Sequence, residues 1–598
     1  MSIIAKIREE PTFFLVRKMW QFAEEHRGWI VAFLSMTAVA NLVSLAQPLV
    51  FGAFLNELQN NGLGEHNISK LIFFLFGLLG VELAFWLFHG PSRIIEKTMA
   101  FRTARVNYRN YLLSGVFGLG LSWHALRESG DTIDKVNKAT EGLYSFSRNS
   151  HTVVSVVIKA VGTTVVLFFF NWAISLIASV LLVMALFVIF RFDMRLIPHY
   201  KKLNVFDNRI AARIFDCISN ITTVKVLHIE APVTEAIRRS FWTPFPLFRQ
   251  TMVLMEAKWF VGSFLFNLLI IVPLAVYLLF LYKNNLPVAV GTISALYLYL
   301  ARLIEVYHIF AGEYEDMIVN KTRVLNVVEI EKAFLAQKKV RQRKIPRWRI
   351  ARVENLSFAY EDAEDGTRHL RNINFGFTRG EHVALIGGSG SGKTTFLKVL
   401  HGMYPFARAE MRFGKRKKTQ QTNFADLDLK TTLVPQEPEV FSASIRENIT
   451  LGLNYVDKEI FAATDAAEFT SVLHGLPRGL ESGINEKGVN LSGGQKQRLA
   501  LARALLFAEG KEVILFDEST SSVDPETETK IYRNIFDRFT GKTILASVHK
   551  MNLLKHFDRI VMFAGGEIVD EGTFDDLLTR NEQFRKEWEK YITRQKTP

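Results

Sequence analysis

Six apolar stretches, each close to the ~20 residues a helix needs to cross a bilayer, crowd the first 311 positions of this 598-residue chain. They span residues 29–55, 70–89, 151–170, 172–192, 259–282 and 287–310. Inside lipid a backbone must satisfy its own hydrogen bonds, so runs of this kind fold as helices. The third and fourth meet at Asn171 with almost no loop. Beyond residue 311 the composition is that of an ordinary soluble domain. The overall hydrophobic share of 49% therefore averages two unlike halves.

Charge predicts the orientation. Residues 90–150 carry Arg93, Lys97, Arg102, Arg105, Arg109, Arg127, Lys135, Lys138 and Arg148. Residues 193–258 are equally basic, from Arg195, Lys201 and Lys202 to Arg249 and Lys258. Residues 56–69 hold no Lys or Arg. Both long segments and both termini are thus expected on the cytoplasmic side. The net charge of +14 reads as this bias and not as a nucleic-acid surface. Cys217 is the sole cysteine, which rules out an intrachain disulfide. Residues 1–28 mix Lys6, Arg8, Arg17 and Lys18 with Phe13, Phe14, Leu15, Trp20 and Phe22. They lack the unbroken apolar core of a cleaved signal peptide and read as an amphipathic helix on the inner membrane surface. An integral protein of a bacterial inner membrane is the expectation.

The two basic segments are too long for tight turns. They are expected to extend the spans as helical rods that turn at tips, with Leu121–Ala125 and residues 210–221 as candidates. Charges within spans are costly and therefore informative. Glu82 and Lys159 lie near mid-span, and Arg302, Glu305 and His308 recur every three residues on one face of the last span. Either they line a path for a charged or amphipathic substrate, or they pair internally, as Arg302 with Glu305, or the helix extends beyond the lipid. Residues 326–349 form a basic connector that includes Lys338, Lys339, Arg341, Arg343, Lys344, Arg347 and Arg349.

The soluble half opens with a strand-like run, 351–358, followed by Tyr360, an aromatic able to stack on a purine. The apolar run 383–386 leads into Gly387, Gly388, Ser389, Gly390, Ser391, Gly392, Lys393, Thr394 and Thr395. Strand, glycine-rich loop and helix in this order make a phosphate cradle. Glycines let backbone N–H groups wrap the phosphates, Lys393 reaches the outer ones, and the Thr394 hydroxyl can ligate Mg²⁺. A second strand-like run, 513–516, ends in Asp517 and Glu518, placed to hold Mg²⁺ and to polarise an attacking water. Ser492, Gly493, Gly494 and Gln495 open a strong helical pattern. Two glycines at a helix start offer another anion site, with simple capping as the alternative.

Taken together these motifs resemble the nucleotide-binding domain of ATP-binding cassette transporters over residues 350–580, in order and complete. The resemblance implies that Tyr360 is the aromatic position, Gly387 to Thr394 the Walker A loop and Gln436 the Q-loop residue, which also touches Mg²⁺. It makes Leu491 to Gln495 the signature, Asp517 and Glu518 the Walker B end, Asp524 the D-loop and His549 the switch histidine. Residues 434–449 and Glu486-Lys-Gly resemble the exporter branch. The implied fold is an all-α six-helix membrane domain, 29–325, after the lead-in 1–28. It is joined through the linker 326–349 to an α/β P-loop ATPase, 350–598. The implied activity is ATP hydrolysis by Glu518, His549 and Lys393 with ATP and Mg²⁺, driving export or lipid flipping. Because one chain holds one cassette, the expected partner is a second copy.

Overall fold

The computed structural model describes residues 10–125, 127–337, 348–360, 369–404, 408–415, 418–422, 430–484 and 491–596. The chain divides into two compact units: Met1–Gly118 with Ser129–Leu335, and Leu119–Glu128 with Ala336–Pro598. The predicted tip Leu121–Ala125 is thus a short helix that groups with the second unit, while residues 210–221 stay in the first. Lys6, Arg8, the linker residues 338–347 and Glu486-Lys-Gly lie outside the described residues.

The first unit is helical. Among the described residues six helices are long and apolar enough to cross a membrane: Glu24–Asn61, Ile68–Phe117, Ser129–Phe170, Trp172–Ser219, Glu230–Lys283 and Val290–Ala336. The first five each contain a predicted stretch, and the sixth begins three residues inside the stretch 287–310. Trp172–Ser219 has 48 residues, which at ~1.5 Å per residue is more than twice a hydrocarbon core of ~30 Å. The apolar runs do continue as rods. Asn171 separates the third and fourth spans by capping the latter, its Oδ1 accepting from the N–H of Ala173 at 2.9 Å. The second rod changes pitch: α-helix Ile68–Ala100 passes into a π-helical turn, Phe101–Tyr108, before α-helix Arg109–Phe117.

The first span is broken. It runs as Arg27–Ser44 and then Gln47–Asn61, where Pro48 cannot donate a helical hydrogen bond. The last span takes up carbonyls at the break. Tyr299 donates its hydroxyl to the Leu45 carbonyl at 2.5 Å, and Arg302 donates to the Ser44 carbonyl at 2.8 Å. Farther along, Gly52 and Gly291 bring the two backbones into contact, and a Cβ on Gly291 would collide with the Gly52 carbonyl. Asn56 Oδ1 accepts from Gly291 N–H at 2.8 Å beside this contact. Small residues with a polar clasp are the usual means of joining helices in lipid.

The intramembrane charges resolve toward internal pairing. Lys159 binds Glu305 at 3.0 Å, Arg302 holds the broken span, and the His308 ring stacks against Trp259. The pairing is not between Arg302 and Glu305, since the neighbours they meet are on other helices. Glu82 is exposed and accepts from Trp86 Nε1 one turn on. A further pair, Lys258 with Asp193 at 2.7 Å, is nearly fully buried. The lead-in helix Pro11–Phe22 is amphipathic as expected, but protein covers its apolar face. Leu15, Met19 and Phe22 are buried, and Lys18 pairs at 2.9 Å with Glu331 on helix Val328–Gln337. Phe13, Val16 and Trp20 stay exposed.

Among its described residues the second unit forms two sheets. Strands β1 (Ile350–Phe358), β2 (Leu370–Thr378), β4 (Arg408–Lys415) and β5 (Lys418–Thr422) form an antiparallel sheet in the order β2-β1-β4-β5. Strands β3 (His382–Ile386), β6 (Thr431–Val434), β7 (Val513–Asp517), β8 (Thr543–Ser547), β9 (Arg559–Ala564) and β10 (Glu567–Gly572) form the other, ordered β10-β9-β3-β8-β7-β6. Pairing is parallel from β9 to β6. Every residue of β7 and β8 is buried, as expected of a parallel sheet covered on both faces. Alternate side chains feed two cores: Ile514, Phe516, Ile544 and Ala546 on one face, Val513, Leu515 and Leu545 on the other.

Candidate functional site

Four adjacent parallel strands end at the same edge, and a predicted site residue follows each. The glycine-rich loop leaves β3, Gln436 follows β6, Asp517 and Glu518 end β7, and His549 follows β8. Ligands of open parallel sheets bind at this carboxyl edge. Residues separated by more than 150 positions converge here because the strand order places β3, β8, β7 and β6 side by side.

The loop is shaped by its glycines. Gly387 has φ +147°, and a Cβ there would collide with the Phe563 carbonyl. Gly392, at φ +106°, caps helix Lys393–Leu400. Lys393 is buried and folds back to donate to the carbonyls of Gly387 and Gly388 at 2.8 and 3.2 Å. Burial pulls its ammonium below the usual lysine range, with Glu518 and Asp517 opposing that shift. Thr394 Oγ1 donates to Asp517 Oδ1 at 2.8 Å. Burial pushes the Asp517 carboxyl up, against the Thr394 hydrogen bond that lowers it. A buried carboxylate and a hydroxyl side by side at a phosphate loop suit a hard, oxygen-seeking dication. The Ser391 hydroxyl is buried with no hydrogen-bond partner among the described residues.

Glu518 takes a left-handed backbone conformation, φ +45°. For a residue with a Cβ this costs on the order of 1–3 kcal/mol and marks a position whose surroundings dictate it. Its carboxylate accepts from Gln436 Nε2 at 3.0 Å through one oxygen and meets His549 Nε2 through the other. Gln436 therefore touches Glu518 and not the Thr394–Asp517 pair. A cavity of about 590 Å³ is lined by Ser389 to Thr395 with Gln436, Glu518 and His549.

His369, Gly565 and Gly566 also line this cavity and were not singled out in the sequence. The glycine pair joins β9 to β10 with φ +57° and +84°, and Gly566 N–H donates to the Ser391 carbonyl at 3.0 Å. A Gly-Gly between two strand-like runs was the available signal. Tyr360 does not line the cavity. Its hydroxyl lies 3.2 Å from Thr395 Oγ1, and its ring packs edge-on against His369, with centroids 4.7 Å apart.

Leu491 to Gln495 and Asp524 do not line it either. Ser492 and Gln495 form a reciprocal capping box on helix Gly493–Phe507, so the capping alternative and the exposed helix start coexist. Gln497, buried one turn into that helix, accepts from Ser522 N–H at 2.8 Å and donates to Ser521 Oγ at 3.0 Å. Asp524 caps helix Pro525–Arg538 by accepting from Thr527 N–H at 2.9 Å. Lys550 ties the segment after His549 to the same loop, donating to the Val523 carbonyl at 2.8 Å and pairing with Glu528 at 2.9 Å. Gln497 and Lys550 thus link the helix at Ser492 to the His549 segment through residues 521–524.

Residues 370–521 match the family model "ABC transporter", and residues 30–305 match "ABC transporter transmembrane region". A probable multidrug resistance ABC transporter ATP-binding/permease protein, YheI of Bacillus subtilis, is 38% identical over 237 residues, covering 40% of each chain. ATP-binding cassette sub-family B member 6 of Rattus norvegicus is 28% identical over 581 residues, 93% of this chain and 64% of that one. The matches thus span less than two thirds of these relatives' own length. A solved bacterial Atm1-family ABC exporter with ATP bound shares the fold, with a TM-score of 0.75 at 20% identity over 94% of this chain and 98% of that one.

Proposed function

We propose that this chain, which belongs to the ABC transporters through one transmembrane region and one ATP-binding region, couples hydrolysis of Mg-ATP to export by alternating access. It works as two copies in a lipid bilayer, with the ATP-binding units in the cytoplasm and a bacterial inner membrane as the host. Its cargo is a charged or amphipathic molecule.

The observation that carries this reading is a division within one ATP-binding unit. Lys393, Gln436, Glu518 and His549 converge on one cavity, whereas Ser492, Gly493 and Gly494 present helix N–H groups elsewhere. A helix start of that kind binds anions. The second copy's equivalent helix would close over the phosphates held here, and the reverse, giving two sites. All the positions named above keep side chains suited to their roles, which favours identical copies. The exposed apolar residues Phe215, Ile218, Ile221, Val226 and Leu227 around the second tip favour a protein partner as well.

In each site the loop N–H groups and Lys393 hold the phosphates. Thr394 and Asp517 would hold Mg²⁺, which supplies positive charge against the phosphate oxygens. Glu518 orients water and accepts its proton while Gln436 and His549 fix its carboxylate. Phosphoryl transfer asks for this positioning and charge compensation, with no covalent enzyme intermediate.

The test is Glu518→Gln in the full-length protein. With Mg-ATP it should retain nucleotide and accumulate as a closed pair of copies on size exclusion, with little phosphate release. Normal turnover by this variant would defeat the assignment of Glu518. Wild-type protein that stays monomeric at saturating Mg-ATP would defeat the pairing.

A further inference from the structure

Glu528 lies on helix Pro525–Arg538, outside the nucleotide cavity, and its side chain is only 6% exposed. Burying a carboxylate is costly unless both oxygens are met. One oxygen accepts from the Thr520 hydroxyl at 2.6 Å, and the other pairs with the Lys550 ammonium at 2.9 Å. Among the described residues Lys550 is its sole ion-pair partner. Thr520 comes two residues after Glu518, and Lys550 directly follows His549. One carboxylate therefore ties down the chain just past each member of the Glu518–His549 pair.

The sheet does not do this by itself. Strands β7 and β8 are in register up to Asp517 and Ser547, but Glu518 and His549 lie beyond the last paired residues. There the two segments are linked through polar contacts to helix Pro525–Arg538 and the loop before it. Besides the Glu528 contacts, Lys550 donates to the Val523 carbonyl, and Asn552 Nδ2 donates to Thr529 Oγ1 at 3.3 Å. A buried ion pair adds little stability over apolar residues of the same shape. What Glu528 and Lys550 can add is a fixed direction.

Resting on the hydrolysis reading and deepening it, we propose that Glu528 and Lys550 are positioning residues for ATP turnover. Lys550 sets the segment that presses His549 against Glu518, and Thr520 anchors the segment that carries Glu518. Neither Glu528 nor Lys550 lines the cavity, so their influence passes through the Glu518–His549 contact.

The experiment measures steady-state ATP hydrolysis by full-length protein in nanodiscs, with nucleotide-binding stoichiometry and thermal unfolding for each variant. Lys550→Met should lower kcat about ten- to a hundredfold and move KM for ATP less than about twofold, since lost aim slows the chemistry and spares binding. Lys550→Arg should recover most of that loss. Lys550→Met leaves a buried charge alone, so its companion is Lys550→Met with Glu528→Gln, which buries no charge and still accepts from Thr520. That double variant should bind a full complement of nucleotide and show the same fall in kcat. In a His549→Ala background, Lys550→Met should lower kcat by less than about twofold further, because the group it aims is gone. Wild-type kcat in the charge-free double variant overturns the proposal. So does an undiminished further fall in the His549→Ala background, the mark of a merely structural role. Wild-type turnover by Glu518→Gln would instead sink the hydrolysis assignment itself, whatever the Lys550 variants do.

Discussion

The two units treat their polar groups in opposite ways. In the transmembrane unit, Lys258 meets Asp193, Lys159 meets Glu305, and Arg302 meets a carbonyl freed by the broken first span. Those contacts join one helix to another. In the ATP-binding unit Glu518, Gln436 and His549 gather around a cavity and meet one another there. Polar groups of the first kind secure packing; those of the second are arranged for something that binds. The lesson is that a charge signals chemistry when it faces a cavity among other polar groups, and packing when it faces another helix.

This contrast can be broken from either side. The largest effect should come from His549→Ala, which frees one oxygen of Glu518. ATP turnover should fall about 10²–10⁴-fold with little change in melting temperature, so a variant that melts early would blur the division. Lys258→Ala leaves Asp193 buried alone and should cost about 3–5 kcal/mol in stability, whereas Lys258→Met with Asp193→Leu should come out near neutral. Thermal unfolding in detergent separates these two outcomes. Gln497→Ala removes the side chain that holds residues 521 and 522. It should cost about 1–3 kcal/mol and lower turnover too, since here packing and chemistry share a residue; stability and phosphate release measured together would detect it. The smallest effect belongs to Lys159 and Glu305. Glu305 is half exposed in the chain, so a double-mutant cycle on melting should return a coupling below about 1 kcal/mol.

The same contrast explains what could be read in advance. Residues 383–386 and 513–516 are short apolar runs ending in glycines or carboxylates, and they fold as parallel strands that deliver those groups to one edge. The chemistry there demands particular residue types at close spacing, which leaves a local record. The helix contacts left none. The first span was read as one stretch across Pro48, and nothing near that residue pointed to Tyr299 or Arg302, some 250 positions away. Asp193 and Lys258 stood at the two ends of a basic segment, where only Lys258 counted toward the orientation bias, although they find each other in the interior. A span that is apolar on every side carries no periodicity to reveal which face meets which neighbour. The lead-in helix had the right amphipathic pattern, yet its pattern could not say whether lipid or Glu331 and its surroundings would cover it.

The π-helical turn at Phe101–Tyr108 has a practical consequence for anyone mapping the second rod. Its i→i+5 bonding puts an extra residue in a turn relative to α-helix, so the phase of the residues beyond Tyr108 is offset from that of the span above. A cysteine scan indexed from Ile68 would therefore assign Arg109 onward to the wrong azimuth, and its numbering must be restarted at the end of that turn.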